Sequence, residues 1–346
     1  MNTAVSKPMV SIIIPAYQAQ DSIEDCVSSV CSQVISYEVS EEAKNFDGLM
    51  EIIIVDDGST DQTGAICDRL SESNSNVKVL HVKNGGVSKA RNLGMENSGG
   101  RYIAFVDADD LVGDTYISDL LRAALKKDAD LVIMDGKIVT NDIITGRRYI
   151  EDGLLSEDTH VWGKLFKREL IFDGGKTVRF PENITIGEDM LFLLEVLLKV
   201  DQKACISMIP GKGYKYNFND NGAMLKSFKP SYLDQITCWE LAEKELDKLS
   251  PSISNEAQVK FAIIRVMAAL LVVSKFAKSL NMRENNEVTV MLALKSEVIL
   301  RAREMISKAR KVKGCFGGLS AGYKIKNKLF DVSPELYIKL YKMWKV

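Results

Sequence analysis

Three aspartates within four positions, Asp107, Asp109 and Asp110, end an apolar, strand-forming run at residues 102–106. A strand that stops so abruptly on carboxylates is hard to explain by packing. If the extended backbone continued through Ala108, Asp107 and Asp109 would leave on one side and aim two oxygens at one point. That pair suits a hard divalent cation, Mg²⁺ or Mn²⁺, which also draws oxygens from substrate phosphates. The plain alternative is that Asp109 or Asp110 caps the next turn and its neighbours are solvated.

The elements that must position these groups come in a regular order. Residues 10–14 read as a strand buried on both faces and end at Pro15, Ala16 and Tyr17. A helical pattern over 21–34 follows, with Asp21 as cap and Ile23, Val27, Val30 and Val34 on one face. Residues 38–47 read as a polar inserted loop, 51–55 as a second buried strand ending at Asp56 and Asp57, 60–71 as a helix and 77–82 as a strand. The turn Asn84, Gly85, Gly86 precedes a helix beginning near Ser88. This alternation predicts an open, mostly parallel α/β sheet with helices on both faces, in which ligands collect beyond the carboxyl ends of the strands. All three polar clusters sit at such ends.

Further along, 120–125 reads as helix, 130–134 as strand, 136–153 as hairpins and 162–171 as a short amphipathic helix. Glu188 and Asp189 open an apolar helix at 190–200, and 204–209 and 214–218 read as strands. From residue 231 the pattern is helical, over 232–249, 257–280, 287–312 and 335–344. The expected division is a catalytic domain at 1–228 and a helical region at 229–346.

The clusters suggest roles. Asp57 could accept the N3 hydrogen of uracil, and Tyr17 could offer the base a ring face, although ordinary packing explains a tyrosine there too. The 84–86 turn and Arg91 could approach ribose or phosphate, or be a plain turn and a surface arginine. Carboxylates in a helix's first turn are favoured by its dipole, so Glu188 and Asp189 read as simple caps. The same placement would keep Asp189 ionised and ready to take a proton from an attacking hydroxyl.

The chain has 346 residues, 46% hydrophobic and 27% charged, with formal charge −2, which excludes disordered and fibrous classes. From Arg301 onward 12 Lys or Arg stand against three acids, so an anionic partner belongs at the tail. The six cysteines lack metal-binding spacing and read as thiols in a reducing cytoplasm. Polar residues 1–7 run straight into a strand, so no signal peptide is expected. The longest apolar run, 266–273, is too short to span a bilayer, which leaves peripheral contact. No nucleic-acid partner is expected.

Five segments, SIIIPAYQA (11–19), IIIVDDGSTDQT (52–63), NGGVSKARNLG (84–94), YIAFVDADDLV (102–112) and IGEDMLF (186–192), together resemble family 2 glycosyltransferases with the GT-A fold. The resemblance covers roughly residues 8–220. It implies inverting, metal-dependent transfer from a nucleoside diphosphate sugar such as a UDP-sugar. Asp57 matches the base-binding position, Asp107 and Asp109 the D-x-D with Asp109 the primary metal ligand, and Asp189 the general base beside Glu188. Pro15, Tyr17, Asn84, Arg91, Asp107 and Ala108 are carried over as donor-binding positions.

The chain most resembles bacterial enzymes that build capsular, exopolysaccharide or O-antigen units on a lipid carrier, which implies a lipid-linked or oligosaccharide acceptor. In those enzymes Asn usually stands where this chain has Gly163, and Arg where it has Asn217. Lys324, Lys326, Lys328, Lys339, Lys342 and Lys345 interleave with Tyr323, Leu329, Phe330, Tyr337, Tyr341 and Trp344. That pattern suits an anionic leaflet on the inner face of the cytoplasmic membrane, or a solvated helix capping the fold. Residues 257–280 could form a homodimer face or ordinary core. A catalytically silent subunit with the same fold remains an alternative. So does a haloacid-dehalogenase-like phosphatase, although that family wants Thr or Ser soon after the second aspartate.

Overall fold

The computed structural model describes residues 7–46, 48–134, 142–156, 158–211, 213–217, 228–280 and 286–343. Its strands are β1 (Val10–Ala16), β2 (Met50–Asp56), β3 (Val77–His81), β4 (Tyr102–Phe105), β5 (Leu111–Val112), β6 (Leu131–Met134), β7 (Ile143–Thr145), β8 (Lys164–Lys167), β9 (Ala204–Ile209) and β10 (Tyr214–Lys215). Eight form one sheet in the order β3-β2-β1-β4-β8-β6-β9-β7, and β5 pairs with β10. Strands β1 to β4 run parallel, β9 runs parallel to β6, and β8 runs against both its neighbours.

Continuous apolar strands predict cover on both faces, and β2 has it. Ile52 and Ile54 join one core with Ile23, Val27 and Val30 of the helix Ile23–Cys31. Ile53 and Val55 meet Ala90 of the helix Val87–Glu96 on the other face. Gly94 lets that helix close on β1, because a Cβ there would lie 2.5 Å from Ile13 Cγ2.

Register brings the strand ends together. Ala16 pairs with Asp56 and Asp56 with His81, while β1 pairs with β4 only as far as Ile13 and Phe105. Beyond Ile13 the sheet is therefore open on the β4 side, so Pro15, lacking an N–H, costs no ladder bond there.

Several sequence expectations are corrected. Residues 162–171 contain the strand β8 and a short helix, Arg168–Ile171, rather than one amphipathic helix. A short apolar run fits either state, and pairing on both sides decides for strand. The loop expected at 38–47 holds the helix Tyr37–Ala43, and residue 47 lies outside the described residues. Of the hairpins expected at 136–153, the described part is β7 and the helix Gly146–Asp152. Residues 136–141 lie outside it. Residue 218, at the end of the expected strand 214–218, lies outside it too.

The chain folds as two compact units, Met1–Gly153 with Thr159–Phe218, and Leu154–Asp158 with Asn219–Val346. The second unit is helical, centred on Asn255–Ser279, whose Phe261, Val266, Leu270 and Val273 are buried. Of the two readings of residues 257–280, the packing of this helix by Asp234–Leu246, Glu297–Arg310 and Pro334–Met343 is that of ordinary core. Ser274 and Tyr337 share a buried hydrogen bond of 2.9 Å.

Tyr337 and Phe330 are therefore core residues, which corrects their assignment to a bilayer-facing stripe. Ile325, Val332, Leu336 and Leu340 are the exposed apolar groups of the helices Ala321–Val332 and Pro334–Met343. Trp344 and Lys345 lie outside the described residues, as does the side chain of Lys342. No described helix is long and apolar enough to cross a membrane.

Candidate functional site

On the β2 side, Asp57 follows the strand and its amide donates to Ala16 O at 2.8 Å. Both of its carboxylate oxygens accept amide hydrogens from the glycine turn, from Gly85 and Gly86 at 2.8 Å each. Gly86 sits at φ +90° and Gly58 at φ +73°, where a Cβ on Gly58 would fall 2.6 Å from the amide of Asn84. Only glycine allows this approach of the two loops.

The turn is braced from behind. Asp56 Oδ1 accepts from Ser59 N at 3.0 Å and Oδ2 bonds His81 Nδ1 at 2.9 Å, while His81 Nε2 reaches Asp68 at 2.9 Å. Hydrogen bonds to Asp56 and then Asp68 raise the imidazole's pKa. Tyr17, 54% exposed, stands at the end of β1 with its ring open to solvent.

On the β4 side the chain does not stay extended past Asp107. The Asp110 amide bonds Asp107 O at 3.0 Å, forming a turn that separates the carboxylates. Asp110 is fully buried, accepting from Tyr214 Oη at 2.7 Å and Asn217 N at 2.8 Å. Burial pushes its carboxyl up to about 6 against those two bonds. The Asp110 carboxylate thus ties the turn to Tyr214 and Asn217. The Asp107 amide donates to Tyr214 Oη at 3.0 Å, so one phenol fixes both ends of the turn.

Ala108 is buried, and Asp107 and Asp109 are partly exposed. Among the described residues no three acidic, His or Cys side chains cluster tightly enough to cage a metal. Two carboxylates at an open turn are nevertheless the donor set expected for Mg²⁺ or Mn²⁺ completing its shell with phosphate oxygens and water.

Arg91 departs most from expectation. It is 3% exposed, not a surface arginine. Its Nη2 donates to Asp107 Oδ1 at 2.8 Å and its Nη1 to Asp189 Oδ1 at 2.6 Å, with Glu188 Oε1 at 3.4 Å. Burial alone would lower the guanidinium's pKa, but Asp189, Asp107 and Glu188 outweigh it and the net shift is upward.

Glu188 and Asp189 open the helix Glu188–Lys199 after Gly187, as the capping pattern predicts. The helix dipole is not the main influence on their ionisation, because burial acts more strongly. It raises Asp189 despite Arg91, and pushes Glu188 up to about 7 with help from the Asp189 charge.

Sequence reasoning missed several neighbours. Because β8 is antiparallel, its first residues arrive at the rim where β4 and β6 end, with Ala104 opposite Leu165 and Ile133 opposite Lys164. Val161 N donates to Asp189 Oδ2 at 3.3 Å, and buried Lys164 lowers the Asp189 pKa. Gly163 has φ +72°, a conformation that Gly adopts freely and Asn tolerates better than most other residues. Asn217 contributes its amide to Asp110. Asn92 exchanges two 2.9 Å bonds with Phe180, holding the segment before Glu188 onto the Arg91 helix.

The geometry agrees with the comparisons to known proteins. The profile described as Glycosyl transferase family 2 matches residues 11–185. The uncharacterized glycosyltransferase EpsJ of Bacillus subtilis is 29% identical over 241 residues, 65% of each chain. The chain spans between 38% and 65% of the length of three curated relatives it matches. Staphylococcus aureus TarS 1–349 in complex with UDP-GlcNAc superposes with TM-score 0.57 at 18% identity, over 97% of this chain and 90% of that one. The mannosyltransferase PcManGT from Pyrobaculum calidifontis, in complex with GDP-Man and Mn²⁺, gives TM-score 0.55 at 14% identity, over 98% and 88%. At these identities the two structures establish the GT-A fold.

Proposed function

The chain belongs to glycosyl transferase family 2, and from that premise we propose that it transfers a sugar with inversion from a UDP-sugar to a hydroxyl of a lipid-linked glycan in bacterial surface polysaccharide synthesis. One observation carries this reading. The guanidinium of Arg91 draws Asp107, at the end of β4, and Asp189, at a helix start far along the chain, onto a single group. A cation-binding carboxylate and a proton acceptor are thereby held in one small volume, as transfer from a diphosphate requires.

Asp57 and Tyr17 would take the base, and the 84–86 turn the ribose. Asp109, with the remaining oxygen of Asp107, would hold Mn²⁺ or Mg²⁺. The ion, when bound, supplies positive charge to the leaving diphosphate. Asp189 takes the proton of the acceptor hydroxyl as that oxygen bonds to the anomeric carbon and the bond to the diphosphate breaks. The UDP-GlcNAc and Mn²⁺ of the two related structures support the choice of donor and ion.

The test is slow UDP release from a panel of UDP-sugars with Mn²⁺. Release should occur with the native chain and fall by about 10² or more in Asp109→Ala and with chelator. Release that ignores both treatments would refute the metal assignment, and none with any nucleotide sugar would favour a silent subunit.

Peripheral membrane contact belongs to the same reading. Lys324, Lys326, Lys328 and Lys339 lie on the helices that expose Ile325, Leu336 and Leu340, a mixture suited to an anionic surface. Because Phe330 and Tyr337 are core, truncation would disturb the fold, and charge reversal is the cleaner probe. Lys324→Glu with Lys328→Glu should weaken binding to phosphatidylglycerol vesicles, read by sedimentation, by about 30-fold or more, at roughly 1 kcal/mol per lysine lost. Unchanged sedimentation would count against the contact.

A further inference from the structure

Four rings stand together at the β8 end of the rim. Trp162 stacks with His160 at 3.5 Å between centroids and 15° between planes, with Tyr214 at 4.6 Å and 11°, and with Tyr216 at 6.0 Å and 22°. The stack is tied to both halves of the candidate site, to Asp107 and Asp110 through Tyr214 Oη and to Asp189 through Val161 N. Tyr216 is 61% exposed, so core packing does not account for its ring.

We propose that this stack is a carbohydrate platform receiving the acceptor as a pyranose, whose C–H face rests on the exposed ring of Tyr216 while a hydroxyl points to Asp189. The inference rests on the transfer reading and adds the class of acceptor unit. A pyranose presents a flat patch of weakly positive C–H groups that matches the negative face of an aromatic ring. An open-chain polyol phosphate has no such fixed face.

The nucleotide base is a poor occupant. Asp57 follows β2, and the order β2-β1-β4-β8 puts two strand ends between it and Trp162. Tyr214 is committed to the Asp107 turn by its hydroxyl, so the stack is built on the same group that shapes the cation-binding carboxylates. Tyr216 is largely solvent-exposed and meets the stack through its ring, so it is the clean position to change.

The experiment is saturation-transfer NMR on the full chain with UDP and Mg²⁺. The probes are methyl β-D-glucopyranoside, methyl N-acetyl-β-D-glucosaminide and ribitol 5-phosphate. Ring C–H signals of at least one pyranoside are expected with the native chain, and Tyr216→Ala should weaken that ligand's affinity about fivefold, the factor set by roughly 1 kcal/mol of ring contact. Tyr216→Phe, which keeps the ring, should retain it. Equal affinity in Tyr216→Ala, no signal from either pyranoside, or signal from ribitol 5-phosphate alone would each overturn the platform. The UDP-release assay judges the transfer reading separately, because pyranoside signal without UDP release would leave a sugar site on a chain that does not transfer.

Discussion

Asp189→Asn should lower turnover by about 10² to 10⁴ while leaving UDP affinity within a small factor, because the substitution removes the proton acceptor and keeps its shape. The amide still offers its one oxygen to Arg91, 2.6 Å away in the native chain, and gives up only the longer 3.3 Å bond from Val161 N to the second carboxylate oxygen. Loss of rate without loss of binding is the signature that separates a base from a structural carboxylate. Steady-state kinetics and UDP calorimetry on the same preparation measure both. Normal turnover would remove Asp189 from the base role.

The native pH profile adds a check. A base must be ionised, and burial raises both Asp189 and Glu188, the latter to about 7. Activity should therefore climb with pH along an acid limb displaced above the ordinary carboxylate range, and then level. A limb near 4 would mean that the Arg91 charge outweighs burial.

Arg91→Met should be the most destabilising single change at the rim, by about 3–5 kcal/mol, since it strips the cation from the largely buried Glu188 and Asp189 and from the half-buried Asp107. The pKa values of Glu188 and Asp189, already raised by burial, would rise further in the variant's folded state. A group with a raised folded pKa favours folding at low pH, so the deficit should shrink as pH falls from 7 to 5. Urea unfolding at the two pH values measures this. A deficit under about 1 kcal/mol, or one that grows toward pH 5, would contradict the picture of a shared counter-charge.

Much of the first unit was legible because its signals are local. The isoleucine runs of β1 and β2 announce burial on both faces, and β2 ends on Asp56, followed by Asp57, where a sheet interior would not accept them. What escaped depended on partners distant in sequence. Residues 164–167 are four positions that any short helix could use, and only their pairing with Ala104 and Val132 makes them a strand. Likewise, nothing near Arg91 foretells that carboxylates from β4 and from residues 188 and 189 will surround it. Spacing alone left Asp109 and Asp110 interchangeable, whereas the Tyr214 hydroxyl commits Asp110 to the interior. In the second unit helical periodicity was plain, but which stripe faced inward was not, and Phe330 and Tyr337 turned to the core.

The reversed direction of β8 limits how this enzyme class could be re-engineered. Trp162 and Gly163 do not ride on a detachable loop, because one step later the chain is laddered to β4 on one side and β6 on the other. A chimera that swapped only residues 158–163 would have to hand over to β8 in register, since a slip of one residue would turn Leu165 outward and Lys164 or Phe166 to the wrong layer. Donor-side turns between parallel strands carry no such obligation, so natural variation should accumulate there more freely than in the segment that leads into the sheet's middle.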